Sequence, residues 1–548
     1  MLAIATLGLT LWAWTGLIPY QAFAPDFDET VHILPALQIA LDLRRLDIGA
    51  FLAHTYTQDR LALYPFLYSW LTAPFFLLGT PPILTARTTS LVFLAGSVLV
   101  TFWVSSQLQP CRNWRWLAGL TGGGLTLGAL PLWSTASVAY LEPAGLLVSL
   151  VALGAYMQSS LEHATRRRLV TVSLLCVAAM FIKFQYGLFV LGGIGLAEML
   201  GWLLARRNLL ARWRDLFGPA LVIFGLWFAN PDRARAFLDY SRAQHSNQAV
   251  WTLDSLGYYP ANILRQYTAG PVAAALLLLG LLLALARWRG HRTRAVVTYL
   301  VASLAILFLV PQKGPRFDYT VAPAALALAG LAASEICIWL SQRPWRRAAA
   351  ASLGAACALV CVLAIGVGQR LVWLPAAQEL AYTTSPDTAR AYAFLIQNTL
   401  AAHRQPHLLN GWYLFNAQTI NWDLALANQI EPAAGQYQVV GSSLAVAPNP
   451  VELAALRDTL AAEGADVLVT IDGSPAGEYP GWADAQPLWA QGYLEPLADS
   501  ERFQFYAWSD VYRDAVFEGS IASAAERDSA RAAARSHIEI QLHLYRVR

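Results

Sequence analysis

The sequence predicts a polytopic α-helical membrane domain followed by a soluble α/β domain. Composition is the first reason. Hydrophobic residues make up 56% of the 548 and charged residues only 13%, where a soluble protein carries about 25% charged. So much apolar surface calls for lipid as its solvent. Charge distribution is the second. Residues 1–370 hold 28 Lys and Arg against 15 Asp and Glu, whereas residues 371–548 hold 10 Arg against 20 Asp and Glu. That reversal marks a boundary near 370 and gives two domains, 1–370 and 371–548. The third reason is the alternation of short Arg-rich connections with longer mixed ones.

Eleven apolar segments approach the ~20 residues that a helical span needs. They are 2–21, 82–107, 117–134, 140–160, 168–183, 185–204, 215–230, 269–286, 295–310, 320–340 and 349–370. The first precedes Ala22-Phe23-Ala24, which looks like a signal-peptide cleavage site. No Lys or Arg stands ahead of it and Pro25 follows it, so it reads as a retained helix. The stretch 64–79 is apolar too, but it holds Pro65 and Pro74. It reads as a helix lying in, or re-entering, the outer interface.

The connections then set the topology. Loops 108–116, 161–167, 205–214, 287–294 and 341–348 each carry two or more Arg. All five fall on one side, which the positive-inside rule makes cytoplasmic. The other side receives loop 22–63, the turns near 135–139 and 184, loops 231–268 and 311–319, and the acidic C-terminal domain. An anionic inner leaflet would repel that domain. The expected location is the plasma (cytoplasmic) membrane, with the C-terminal domain extracytoplasmic. All five cysteines precede residue 370. Cys357 and Cys361 lie one turn apart, and no His or further Cys completes a metal set, so they read as small buried residues.

The outer side collects the unusual residues. Asp26, Asp28 and Glu29 fall within four positions just after the first apolar segment, with His32 close behind. They read as a solvated helix-capping cluster or as part of a site. The loop that holds them is about 40 residues, and loops of that length tend to be functional or disordered. Its Leu, Ile and Phe residues suit interfacial helices. Tyr140-Leu141-Glu142-Pro143 places a carboxylate at the start of an apolar helix. There it is either a partner of the helix dipole or functional. The chain has two lysines, Lys183 and Lys313, among 36 arginines. Both fall at outer helix ends, either as snorkelling side chains or where a compact cation is required. Arg87 and Arg316 add further cations. Carboxylates suit proton removal or metal binding, and cations suit phosphate. Together they point to a substrate with a phosphate at the lipid boundary and an acceptor that loses a proton.

These residues resemble the GT-C superfamily of integral-membrane glycosyltransferases, near the protein O-mannosyltransferases and the lipid A aminoarabinose transferase. The resemblance covers most of residues 1–370. Asp28-Glu29 is similar to the family's acidic pair in the first outer loop. Tyr64-Pro65-Phe66-Leu67-Tyr68 is similar to its Pro-Pro-Leu-Tyr stretch, and Arg87 to the Arg that follows. Tyr140-Leu141-Glu142-Pro143 resembles the second acidic site. Lys183-Phe184-Gln185-Tyr186-Gly187 and Arg316-Phe317-Asp318-Tyr319 with Pro323 complete the pattern. Two departures stand out: the second proline of the Pro-Pro stretch is missing, and Asp318 occupies a normally apolar stretch.

The resemblance implies a GT-C-like membrane domain and a polyprenyl-phosphate-linked sugar as donor, with a lipid, glycan or protein as acceptor. Membrane lipids are further partners, and nucleic acid is not. Asp28 would be the general base, Glu29 would shape its site, and Glu142 would orient a sugar or help hold an ion. Lys183, Arg316, Arg87 and Lys313 would bind the donor phosphate. Asp26, His32, Tyr64, Tyr140 and Gln185 are candidates for acceptor or sugar contacts. Direct displacement would invert the anomeric centre. A divalent cation is a candidate cofactor, with Asp28, Glu29, Glu142 and His32 as candidate ligands. The competing class is a lipid or polysaccharide transporter or flippase. The chain shows no internal repeat, which such proteins tend to carry, and its polar residues gather on one face. A non-catalytic assembly or receptor protein is a third reading.

Residues 371–548 read as α/β. Ser385-Pro386-Asp387 opens a helix to about 402, and Asn449-Pro450 opens another that stops at Gly464. Strands are expected at 407–409, 437–440, 466–471 and 538–544. No phosphate loop, catalytic triad or metal spacing appears there, so the domain reads as accessory.

Overall fold

The computed structural model describes residues 2–17, 27–56, 65–78, 82–160, 164–205, 210–235, 252–268, 270–309, 317–342, 354, 386–399, 406–409, 460–461, 464–472, 489–490, 492–507 and 536–548. The N-terminal two-thirds, in its described residues, consists of helices joined by turns. Its helices are α1 (Leu2–Leu17), α2 (Phe27–Arg45), α3 (Ile48–Tyr56), α4 (Leu67–Phe76), α5 (Pro82–Leu108), α6 (Arg115–Gly128), α7 (Leu130–Ala136), α8 (Glu142–Met157), α9 (Arg166–Ile182), α10 (Phe184–Ala205) and α11 (Leu210–Phe228). Then come α12 (Leu253–Asn262), a π-helical segment (Ile263–Tyr267), α13 (Pro271–Ala286), α14 (His291–Leu309) and α15 (Ala322–Ser341). Among the described residues, α5, residues 184–204 of α10, α14 and α15 are long and apolar enough to cross a membrane. Apolar helices of 10–17 residues lie at Leu2–Thr15, Glu142–Met157 and Pro271–Ala286. The predicted segment 349–370 lies outside the described residues apart from residue 354.

Helix α4 has ten residues. That is about 15 Å at 1.5 Å per residue, half the hydrocarbon thickness, so α4 does not span. The expected single helix over 117–134 is two helices, broken at Ala129, whose backbone is extended. Pro131 is the reason: it has no N–H to bond back four residues, and its ring crowds the preceding turn. The Leu127 carbonyl that Pro131 cannot serve is taken instead by Trp133 Nε1 at 2.6 Å.

The bundle core is built on close backbone contacts. Helix α5 presents a buried stripe of small polar residues, including Thr85, Thr89, Ser97, Thr101 and Ser105. Most of their hydroxyls donate back to carbonyls one turn earlier, as Thr89 does to Thr85 and Thr101 to Ser97. That satisfies them inside an apolar solvent and leaves a thin helix surface. Ser105 Oγ stands 2.7 Å from the Ala118 carbonyl and 2.9 Å from that of Ala327, where α5, α6 and α15 meet. A Cβ on Gly330 would meet that same Ala118 carbonyl. Gly330→Leu is therefore expected to force these helices apart and lower stability by about 1–3 kcal/mol, the usual range for overpacking. A thermal melt in detergent reads the effect.

A buried polar cluster lies far along α10 from its start. Glu198, 3% exposed, accepts from Tyr156 Oη at 2.7 Å and from Arg212 through Nε and Nη2. Arg212 also donates to the Ser159 carbonyl. A carboxylate within an apolar helix is tolerated when paired in this way, and the pair ties α8, α10 and α11 together.

The described C-terminal residues form a five-stranded mixed sheet and one helix, α16 (Pro386–Asn398). The strands are β1 (Pro406–Leu409), β2 (Val467–Asp472), β3 (Leu494–Pro496), β4 (Glu501–Ala507) and β5 (Ser536–Val547). β1 runs parallel to β2, and β2 pairs antiparallel with β5. The other edge of β5 carries β4 at its start and β3 at its end, both antiparallel. Helix α16 rests on β4: Phe394 packs on Phe503, and Asp387 Oδ2 accepts from the Gln504 N–H at 2.8 Å. The expected strand at 437–440 and most of the expected helix at 449–464 lie outside the described residues.

Candidate active site

Helix α2 starts at Phe27, so Asp28, Glu29 and Thr30 occupy its first turn, where carboxylates suit the dipole. Glu29 is 1% exposed. Arg87, on the first turns of α5, donates through Nε and Nη2 to its two oxygens at 3.0 and 2.9 Å. This is the bidentate geometry that makes Arg–carboxylate pairs strong. Glu29 Oε1 also accepts the Ala139 N–H at 2.7 Å. Arg87, expected beside the donor phosphate, thus has a described partner in Glu29. Their pair joins the first connection, α5 and the 137–141 turn.

That turn is a hub. Tyr68 Oη, on α4, lies 3.4 Å from the Ala139 carbonyl, and Ser90 Oγ, on α5, lies 3.3 Å from that of Tyr140. Tyr140 is buried. Glu142 then opens α8 with Pro143 behind it, and is 3% exposed. Burial holds the Tyr68 phenol well above the ordinary tyrosine range, and the charges of Glu142 and Glu29 push it the same way. Tyr68 therefore stands within the field of both carboxylates. His32, one helical turn after Glu29, is buried with its ring edge-on to Tyr68 at 6.3 Å.

Lys183 is the single extended residue between α9 and α10 (φ −155°, ψ 131°). The break turns its side chain inward: Nζ lies 3.6 Å from Glu142 Oε1. It also lies 5.6 Å from the Tyr186 ring centre and 5.7 Å from that of Phe317. Aromatic faces attract a cation at this range. The Tyr186 ring sits where a Cβ on Gly145 would stand, so only glycine there lets α8 and α10 close around the ammonium group. Tyr319 is fully buried, and its hydroxyl donates to the Leu132 carbonyl at 3.0 Å. Burial, then the Glu142 charge, raises its phenol above the usual range.

Glu29, His32, Arg87, Tyr140, Glu142 and Lys183 are thus brought together from α2, α5, the 137–141 turn, α8 and the α9–α10 break. Gln185 is half-buried on the first turn of α10. Asp26, Tyr64, Lys313 and Arg316 lie outside the described residues, and of Asp28 only its place in α2 is described. Tyr68, Phe317 and Tyr319 stand within the sequence motifs, and the structure sets them beside these residues. Tyr68 and Tyr319 are aromatic residues with a polar tip, set at the edge of apolar helices, which is the signal that could have found them. The candidate metal ligands Glu29 and Glu142 instead face cations. Among the described residues no group of three His, Cys, Asp or Glu side chains is placed to hold a metal ion.

No family model matches the sequence, and a search of curated proteins returns no match. Solved structures do match. ArnT from Cupriavidus metallidurans bound to undecaprenyl phosphate aligns over 90% of this chain and 96% of its own, with a TM-score of 0.53 at 14% identity. The same protein in the apo state gives 0.53 at 16% identity over the same shares. The Archaeoglobus fulgidus oligosaccharyltransferase in complex with Zn and sulfate aligns over 90% of this chain and 71% of its own, with a TM-score of 0.55 at 12% identity. The chain therefore shares its fold with these proteins. ArnT and the oligosaccharyltransferase are GT-C glycosyltransferases, and this chain shares their architecture.

Proposed function

We propose that the chain is a GT-C glycosyltransferase that moves a sugar from a polyprenyl-phosphate donor to an acceptor hydroxyl at the outer face of the plasma membrane. In this reading residues 1–370 form a domain of about eleven spans. Residues 371–548 form an accessory α/β domain on the extracytoplasmic side. The observation that carries it is two carboxylate–cation pairs, Glu29–Arg87 and Glu142–Lys183, drawn from a stretch of more than 150 residues and joined through the 137–141 turn. The fold shared with ArnT, whose structure holds undecaprenyl phosphate, supports the donor class.

The chemistry divides among these residues. Asp28, next to Glu29 on the first turn of α2, takes the proton of the acceptor hydroxyl. The freed oxygen attacks the anomeric carbon as the bond to the phosphate oxygen breaks, and its electron pair stays on the phosphate. Attack opposite the leaving group inverts the centre. Lys183 stabilises the phosphate charge that develops, with Arg316 and Lys313 as further cations on the same side. Arg87 and the Ala139 N–H fix Glu29, and Glu29 shapes the floor beside Asp28. Glu142 orients a sugar hydroxyl and holds Lys183 in place. His32, Tyr140 and Gln185 line the acceptor and sugar side, and Asp26 and Tyr64 are further candidates for it from the sequence. Glu29 and Glu142 already face cations, so no step is routed through a metal ion.

Transfer of labelled sugar from a polyprenyl-phosphate donor by purified protein in lipid nanodiscs tests this reading. Asp28→Asn is expected to lower turnover by ~10²–10⁴-fold, the contribution of a general base, with lipid binding and melting temperature unchanged. Equal turnover in the two proteins would remove Asp28 from the reaction.

A further inference from the structure

We propose that Asp318 is a positioning residue whose buried carboxylate ties the turn before α15 to the π-helical segment and so sets Phe317 and Tyr319 against Lys183 and Glu142. The inference rests on the donor reading above and gives the departure at Asp318 a purpose. Asp318 is fully buried. Its Oδ2 accepts from Asn262 Nδ2 at 2.8 Å, and its Oδ1 from the Tyr267 hydroxyl at 2.9 Å. Asn262 ends α12, and Tyr267 ends the π-helical segment. Wide helical turns of this kind are rare and recur at functional sites.

The turn has three anchors. Tyr319 holds the Leu132 carbonyl on α7, and Tyr299 Oη donates to the Thr320 carbonyl at 3.0 Å from α14. Asp318 is the anchor to the connection that precedes α13. The turn closes on itself through the Val321 and Ala322 N–H groups, which bond to the Asp318 carbonyl. Phe317, one residue earlier, faces the Lys183 ammonium group. Shifting the turn therefore shifts the aromatic wall of the cation that meets the phosphate.

A carboxylate is the side chain that accepts from two donors with both oxygens. Asparagine would turn one N–H toward a donor, and an apolar residue would leave Asn262 and Tyr267 to find other partners. Burial raises the Asp318 carboxyl from 3.8 to about 7, with the two hydrogen bonds opposing the shift. From α12 and the π-helical segment the groups facing it are Asn262 and Tyr267. Tyr319 and Tyr258 flank Tyr267. Among the described residues, no Lys or Arg acts on it. Burial is the larger effect and favours the neutral acid, so the anchor is held below pH ~7 and loosens as pH rises through that value and the carboxyl ionises.

Binding of undecaprenyl phosphate to the purified full-length chain, measured from pH 5.5 to 8.5, tests this. The wild type is expected to bind about tenfold more weakly above the inflection near pH 7, beyond the change from the ligand's own titration. Asp318→Asn is expected to lose the inflection, with only the ligand's titration left. Tyr267→Phe keeps the carboxylate and removes one donor to its ionised form, so the inflection moves to higher pH. This second variant carries the test if Asp318→Asn does not fold. Identical affinity and pH profile in wild type and Asp318→Asn would overturn the role of Asp318 alone, as would an unmoved inflection in Tyr267→Phe. A wild type that binds no undecaprenyl phosphate at any pH would overturn the donor reading, and this inference with it.

Discussion

Lys183→Ala is expected to lower sugar transfer by ~10²–10³-fold, the loss seen when one preorganised donor to a developing anion is removed. Lys183 Nζ stands between Glu142 and two aromatic rings. It is held in a site away from bulk water, where its charge acts strongly on a phosphate. Removing it also leaves Glu142 buried at 3% exposure without this ion-pair partner, which lowers stability. The two effects separate in the double variant. Lys183→Ala with Glu142→Gln is expected to recover the melting temperature and not the turnover. Lys183→Arg keeps the charge but spreads it over a planar fork, and is expected to recover part of the activity. Steady-state transfer assays and thermal melts on the four proteins distinguish these outcomes.

Arg87→Ala is expected to have the largest effect on stability. Arg87 makes a two-point pair with Glu29, and the side chains are 12% and 1% exposed. Breaking a buried pair from one side leaves an uncompensated charge and costs ~3–5 kcal/mol. Glu29 would still accept the Ala139 N–H, which offsets a fraction of that loss. Glu29→Gln with Arg87→Ala is expected to be more stable than Arg87→Ala alone, because the side chain that loses Arg87 then carries no charge. A double-mutant cycle on the melting transition measures the coupling. If Arg87→Ala melts as the wild type does, Arg87 does not hold Glu29.

Much of the membrane part was legible in the sequence, because apolar length and Arg placement are strong local signals. Residues 82–107, 185–204, 295–310 and 320–340 match α5, α10, α14 and α15 to within a few residues at most ends. Lys183 was legible for a simple reason: a lysine between two apolar runs, in a chain otherwise using arginine, is conspicuous. What it pairs with was not legible, since Glu142 lies 41 positions away and no local pattern links them. The break at Ala129 is legible in Pro131, which stands inside the apolar run 117–134. Helix α12 and the π-helical segment fell in a loop read as mixed. Their purpose is visible only when Asn262 and Tyr267 meet Asp318, 56 and 51 positions later. In the C-terminal region the β4 sequence carries a readable alternation, with phenylalanines at positions 503 and 505. β3 is three residues long and gives no periodic signal. The Glu198–Arg212 pair was not legible, because its residues lie on different helices with an Arg-rich connection between them.

Native mass spectrometry of the chain purified in mild detergent tests the central claim most directly, because it asks which lipid the site holds without assuming a sugar. The account predicts a bound polyprenyl phosphate or its glycosylated form, retained by Asp28→Asn and lost from Lys183→Ala. A protein that holds no polyprenyl phosphate, even with undecaprenyl phosphate added in excess, would contradict it.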